Sequence, residues 1–187
     1  GFVSQLDGIE REYVVAFLYT RLATQYASLD ELDKAVALVD ETLKALEKLK
    51  SAYEKDKASM EEMLRPHLEL KWVKPELREE LNDLGRYVYY HVAPVYMEVD
   101  KFDEAVKHAV TACELAKKLG SVYDEVTSCG LPPRLKAVRD GTPSVGEFEE
   151  VWQRALQSIG ELGAEAIATT LGHYVVALAS AGRLGDA

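Results

Sequence analysis

Apolar residues recur at three- and four-residue steps along almost the whole chain, and no sustained two-residue alternation interrupts them. That period predicts helices and no sheet. A first helix is expected over 9–27, with Tyr13, Phe17, Leu18, Leu22 and Tyr26 along one side. Ser28-Leu29-Asp30 breaks it, and Asp30 is placed to cap the next helix, with Asp33 three residues on in a box-like arrangement. That second helix is expected to be long, 31–64, burying Leu32, Ala35, Val39, Leu43, Leu46, Leu49 and Tyr53. Pro66 is its natural stop. A connector over 65–74 leads to Pro75 at the start of a third helix running to 99, kinked at Pro94. A fourth helix follows Asp100 and reaches 119 or 128. The run 129–133 reads as a loop, with a short helix over 134–139. Ser144 and Glu147 form a capping box for a helix to 159. A last helix over 164–181 ends at Gly182 in a left-handed conformation.

Within this pattern two helix-turn-helix units superimpose without gaps. The first carries Tyr19, Leu22, Ala23, Tyr26, Leu32 and Ala35; the second carries Tyr89, Val92, Ala93, Tyr96, Phe102 and Ala105. Every pair is 70 apart (89 − 19, 105 − 35). The units resemble the tetratricopeptide repeat, whose period is about 34 residues. The likeness rests on an aromatic early in the first helix, a small residue at the crossing and a second aromatic one turn later. An apolar residue after the turn and an alanine in the second helix complete it. Ala109 and Ala112 fill later small positions, whereas Val39 and Thr42 depart from them, and Glu47 and Lys117 replace the closing proline. The resemblance implies an all-α, right-handed array of antiparallel hairpins with about six or seven helices in one domain, 1–187. Its units fall at 16–49, 86–119 and, in part, 168–187, where Leu171, Tyr174, Val175, Leu178, Gly182, Leu184 and Ala187 match. The spacing leaves room for a middle unit, but 50–85 holds no clear copy.

Composition narrows the class of partner. Asp and Glu number 32 against 22 Lys and Arg, a formal charge of −10, which repels nucleic acid and anionic lipid. No apolar run approaches the roughly 20 residues that span a bilayer, and the opening GFVSQLDG lacks the regions of a signal peptide. The two cysteines, Cys113 and Cys129, are too few for a disulfide framework, so a reducing cytoplasm is the expected compartment. Cys113 falls among alanines as a small core residue; Cys129, beside a Gly-Pro run, is expected to be exposed. A single Asn and four Gln, beside abundant Glu and Lys, tilt the source toward a thermophile.

In the family it resembles, the first helices of successive units line a concave face that holds a peptide. By position that gives Phe17, Thr20 and Thr24 from the first unit, and Tyr87, Tyr90, Pro94 and Met97 from the second. The expected job is therefore a protein-interaction scaffold with a protein or peptide partner. No nucleic acid, membrane, cofactor or metal is expected, and no enzyme; a homo-oligomer stays open. Equally open is a groove filled by the chain's own segment 133–181. The rival reading is a ribonuclease, since Arg86-x4-His91 resembles the short motif of the all-α HEPN family. Glu104 and His108 share a helix face as two carboxylate–imidazole groups without a third ligand, and His67 and His173 show no partner in sequence.

Overall fold

The computed structural model describes residues 8–68, 77–142, 145–160, 162–180 and 182. Among them are nine helices and no strand: α1 Gly8–Ser28, α2 Leu32–Lys55, α3 Lys57–Leu68, α4 Leu77–Glu98, α5 Phe102–Leu119, α6 Val122–Cys129, α7 Leu131–Asp140, α8 Val145–Gln157 and α9 Ala164–Ser180. The all-α class is as expected. The helix count is higher because two boundaries, at Asp56 and Gly120, fall where the apolar period gives no sign of one, and a third boundary lies earlier than expected.

The first is Asp56. The expected long helix ends there, and the Asp56 carboxylate accepts from the Ser59 backbone N–H at 3.1 Å and its hydroxyl at 2.8 Å, starting α3. Pro66, expected as a stop, lies inside α3. The second is Gly120, left-handed at φ 70°, after which Ser121 accepts from the Asp124 N–H and opens α6. The third replaces the expected loop at 129–133. Helix α7 starts at Leu131, with Pro132 and Pro133 in its first turn, where a missing N–H breaks no helical bond. Pro94 is carried within α4, and Gly182 is left-handed at φ 70°, as read. The segment 69–76 with Pro75, Ser144 of the capping box, and 183–187 of the third partial unit lie outside the described residues.

Two hairpins, α1–α2 and α4–α5, carry the architecture, with α4 packed against both α1 and α2. Their turns are built alike. Asp30 and Asp100 are left-handed at φ 60° and 59°. Glu31 N–H donates to the Tyr26 carbonyl and Lys101 N–H to the Tyr96 carbonyl, each at 2.9 Å. Asp30 is thus the turn residue, and Glu31 holds the cap position without a side-chain bond. Ala23, Ala35, Ala93 and Ala105 are fully buried, which lets paired backbones approach closely. On α1 the core face is Ala16, Thr20 and Ala23; Phe17, Leu18 and Leu22, expected on it, are exposed. The stripe on α2 is as read, with Ala35, Val39, Leu46 and Leu49 buried and Leu32, Leu43 and Tyr53 half-buried.

Tyr89 is buried and Tyr19 half-buried against the same core. His108 lies stacked between Tyr89 and Tyr96, at 5.3 and 5.2 Å between ring centres, so its ring is a packing element. The C-terminal helices build outward from α5: α6 and α7 pack on it, and α9 rests on α6 and α7. Val126, Ala155, Leu162 and Ala166 form one small core there, and Ala137, Phe148 and Ala177 another. A disulfide joins Cys113 of α5 to Cys129 of α6, with the Cα atoms 4.5 Å apart. This overturns the expectation of unpaired thiols and of an exposed Cys129, which is buried. Sixteen residues separate the two in sequence, but the Gly120–Ser121 break folds α6 back along α5. No helix among the described residues is long and apolar enough to cross a membrane.

Candidate functional site: a row of rings across α1, α4 and α9

Positions 17 and 87 are equivalent under the offset of 70, and so are 21 and 91. In the structure Phe17 and Tyr87 stack, with ring centres 5.2 Å apart. One turn further along the same two helices stand Arg21 and His91. Arg21 lies close enough to Tyr87 and His91 to act on both electrostatically. Tyr87 packs on His91 at 4.5 Å, and His91 meets the edge of Tyr90 at 5.1 Å. Tyr90 then meets His173 of α9, with its hydroxyl 3.3 Å from Nε2. Five rings in sequence thus run from α1 across α4 to α9.

Each end of the row has its own chemistry. At the α1 end, Phe17 is 38 % exposed and Tyr87 half-buried. They line a cleft of about 280 Å³ with Tyr13, Glu80, Leu84 and Arg86. Glu80 is buried and accepts from the Tyr13 hydroxyl at 2.5 Å; burial first, and then that bond, pushes the Tyr13 phenol well above its ordinary value. Arg86 is gripped by Asp83 at 2.8 Å and Asp124 of α6 at 3.1 Å. At the other end His173 is buried, and Arg134 of α7 reaches its Nδ1 at 3.4 Å. A guanidinium only donates, so Nδ1 accepts, and the ring is the neutral tautomer with its proton on Nε2, facing Tyr90.

Gly130 makes room for that ring. A Cβ there would sit 2.8 Å from His173 Cδ2. Gly130→Ala is expected to displace the ring and to cost about 1–3 kcal/mol, the usual range for overpacking. Urea unfolding measures the cost, and a shift of the His173 ring resonances in NMR spectra reports the displacement. An unchanged His173 environment would contradict the packing described.

Both histidines are held neutral. Burial first, and then Arg86 and Arg21, lower the pKa of His91 to about 4. Burial and then Arg134 lower that of His173 to about 4, partly opposed by a bond to the Thr127 backbone. Unfolded, both return to the ordinary 6.5. Between these values the unfolded chain binds more protons, so stability rises with pH. The contribution is complete above 6.5 and is lost as pH falls toward 4. Histidine ring titrations by NMR check this: neither ring is expected to protonate near pH 6.5 while the protein is folded.

Set against the sequence-derived groove, the seven positions divide. Phe17 and Tyr87 come together and face the cleft. Thr24 is half-buried on α1, its hydroxyl bonded to the Arg21 carbonyl at 2.8 Å. Pro94 and Met97 are half-buried on α4, Met97 against the main core. Thr20 is fully buried, its hydroxyl donating to the Ala16 carbonyl at 2.7 Å, and so lies inside the hairpin and off the groove. Tyr90 faces His173 of the chain's own last helix, and burial raises its phenol. His173, read as partnerless, is partnered twice. The sequence reading did not single out Arg21, although its place 70 residues before His91 was a signal that could have found it; Arg134 and the partners of His173 had no such signal, since only the packing of α7 and α9 brings them to Tyr90. Among the described residues no group of three or more His, Cys, Asp or Glu is placed to hold a metal ion.

Comparison with protein-family models, curated proteins and solved structures finds no match for this chain.

Proposed function

We propose that the chain is a protein-interaction scaffold that holds a segment of a partner protein in the cleft between α1 and α4. The observation that carries this reading is the stacked pair Phe17–Tyr87. It is an aromatic platform drawn from equivalent positions of two hairpins, left open to solvent at the mouth of a cleft of about 280 Å³. Rigid aromatic rings bind with little loss of rotamer entropy, which makes them strong anchors for a peptide. The repeated turn at Asp30 and Asp100, the buried crossing alanines and the packing of α4 on α1 and α2 support stacking of tetratricopeptide type. On this reading the C-terminal helices fill the groove only at Tyr90 and leave the α1 end free.

We favour this reading over a ribonuclease centre at Arg86 and His91, which would need the Arg86 guanidinium for a phosphate. The Arg86 guanidinium is already engaged by two carboxylates, and His91 stays neutral down to about pH 4.

Selection of short random peptides displayed on phage tests the proposal. Wild-type protein is expected to enrich binders whose affinity falls on Phe17→Ala and on Tyr87→Ala. A wild-type protein that enriches nothing sensitive to these two substitutions would refute it.

A further inference from the structure

We infer that the partner segment is basic: a Lys or Arg side chain of the segment lays its stem across the Phe17–Tyr87 pair and brings its charge to Asp83 inside the cleft. This deepens the proposed function and rests on it.

The lining places a carboxylate within reach of the rings. Tyr13 and Phe17 stand four apart on α1, and Glu80, Asp83 and Tyr87 recur at three- and four-residue steps on α4, so each set shares one helix face. The two faces meet at two levels, where the Tyr13 hydroxyl donates to Glu80 and where Phe17 stacks on Tyr87. Asp83 lies between these levels. It stands four residues before Tyr87, about 6 Å along the helix axis. The four-carbon stem of a lysine covers that span, so its apolar part rests on the rings while its ammonium reaches the carboxylate.

The charges of the cleft favour a cation. Arg86 is the basic residue of the lining, and its guanidinium lies between Asp83 and Asp124, at 2.8 and 3.1 Å. Two carboxylates and one guanidinium leave that group at −1. Both bonds from Arg86 to Asp83 end on the same oxygen, Oδ1; among the described residues Oδ2 takes none. The Asp83 side chain is 42 % exposed, so it can accept from a ligand without giving up Arg86. Glu80, buried beside Tyr13, adds negative potential from deeper in the cleft. Arg21 stands outside the lining, one turn past Phe17, and its charge acts on Tyr87 from that side. A cation on the rings is repelled there and drawn toward Asp83, which sets the direction of the side chain. A Glu or Asp in the same place would meet Asp83 and Glu80 as like charges. At longer range the net charge of −10 attracts a basic segment.

The phage selection supplies the peptides. The expected result is enrichment of Lys or Arg beside apolar residues, in binders that depend on Phe17 and Tyr87. In synthetic copies carrying lysine, norleucine keeps the four-carbon stem and drops the ammonium; that change should cost about tenfold in affinity. Asp83→Asn should bring the two peptides to equal affinity. Asp103→Asn on α5, at a side chain 93 % exposed and outside the cleft lining, removes the same charge and should leave the tenfold difference in place. Phe17→Ala should weaken both peptides alike. Peptides that depend on Phe17 but bind equally well with lysine and with norleucine would overturn this inference and leave the groove standing. A consensus rich in Glu or Asp, or a lysine preference that persists in Asp83→Asn, would do the same. A selection yielding nothing dependent on Phe17 and Tyr87 would overturn both.

Discussion

Breaking the Cys113–Cys129 bridge is expected to lower the unfolding free energy by about 3 kcal/mol, and the melting temperature by roughly 10 °C. The bridge closes a loop of sixteen residues, a length for which the lost chain entropy of the unfolded state gives that figure. The consequences should be uneven. The α1–α2 and α4–α5 hairpins bury their own apolar faces. Helices α6–α9 rest on two small cores and on α5, with the disulfide joining α6 to α5. Hydrogen exchange should therefore quicken in α6, α8 and α9 on reduction, and change least in α2. Urea unfolding with and without reductant, and of a Cys113→Ala, Cys129→Ala double variant, checks the size. If the midpoint does not move with reductant, the covalent tie is absent in solution. Titration of thiols in denatured, unreduced protein gives an independent answer, and none is expected.

Ala93→Leu is expected to cost about 3 kcal/mol, the upper end of the range for overpacking, and Ala23→Leu about the same. Both alanines are fully buried where the two helices of a hairpin cross. An isobutyl group there has no space to enter and forces the backbones apart, loosening everything that packs along the hairpin. The equality carries the information. Positions 23 and 93 are 70 apart, and if the two hairpins are copies of one unit the same substitution meets the same neighbours. Leucine at the exposed Ala179 of α9 is the control, with an expected change within about 0.5 kcal/mol. Chemical denaturation measures all three. A large cost at one crossing with none at the other would refute the equivalence.

The tie between these predictions and the site is mechanical. The ring row depends on α4 lying against α1, which brings Tyr87 to Phe17. It depends equally on α9 lying against α7 and α6, which brings His173 to Tyr90 and Arg134. Ala93 and Ala23 govern the first arrangement. The disulfide governs the second, because α6 carries part of the surface on which α9 rests.

Much of this fold was readable before any coordinates. The residues that make a helix pair close are small and spaced by the helical period, and local chemistry alone dictates that pattern. The two hairpins and the alanine crossings therefore showed in the chain as a block repeated 70 residues later, whereas Asp30, read as a cap, is the left-handed turn residue. Part of the site came with that block, since the equivalence of Phe17 with Tyr87 is a matter of counting; the same count pairs Arg21 with His91, a pair the sequence reading passed over. What the pattern missed were boundaries set by single residues. Asp56 ends one helix and starts another through its own carboxylate. Pro132 and Pro133, read as loop formers, sit where a helix begins and tolerates them. The apolar stripe of α1 was placed a turn-fraction away from its real core face, because close crossing demands Ala16 and Ala23 and leaves the larger Phe17 and Leu22 outside.

By itself, then, the order of residues determined the helical class, the paired hairpins and the two equivalent faces, because each depends on side chains within one turn or one repeat of each other. Only the tertiary structure decided that Cys113 meets Cys129, that His173 and Arg134 close over Tyr90, and that Phe17 stays open while Thr20 does not. Those are meetings between helices distant in the chain or rotations of a helix about its axis, and both follow from packing, which local period does not encode.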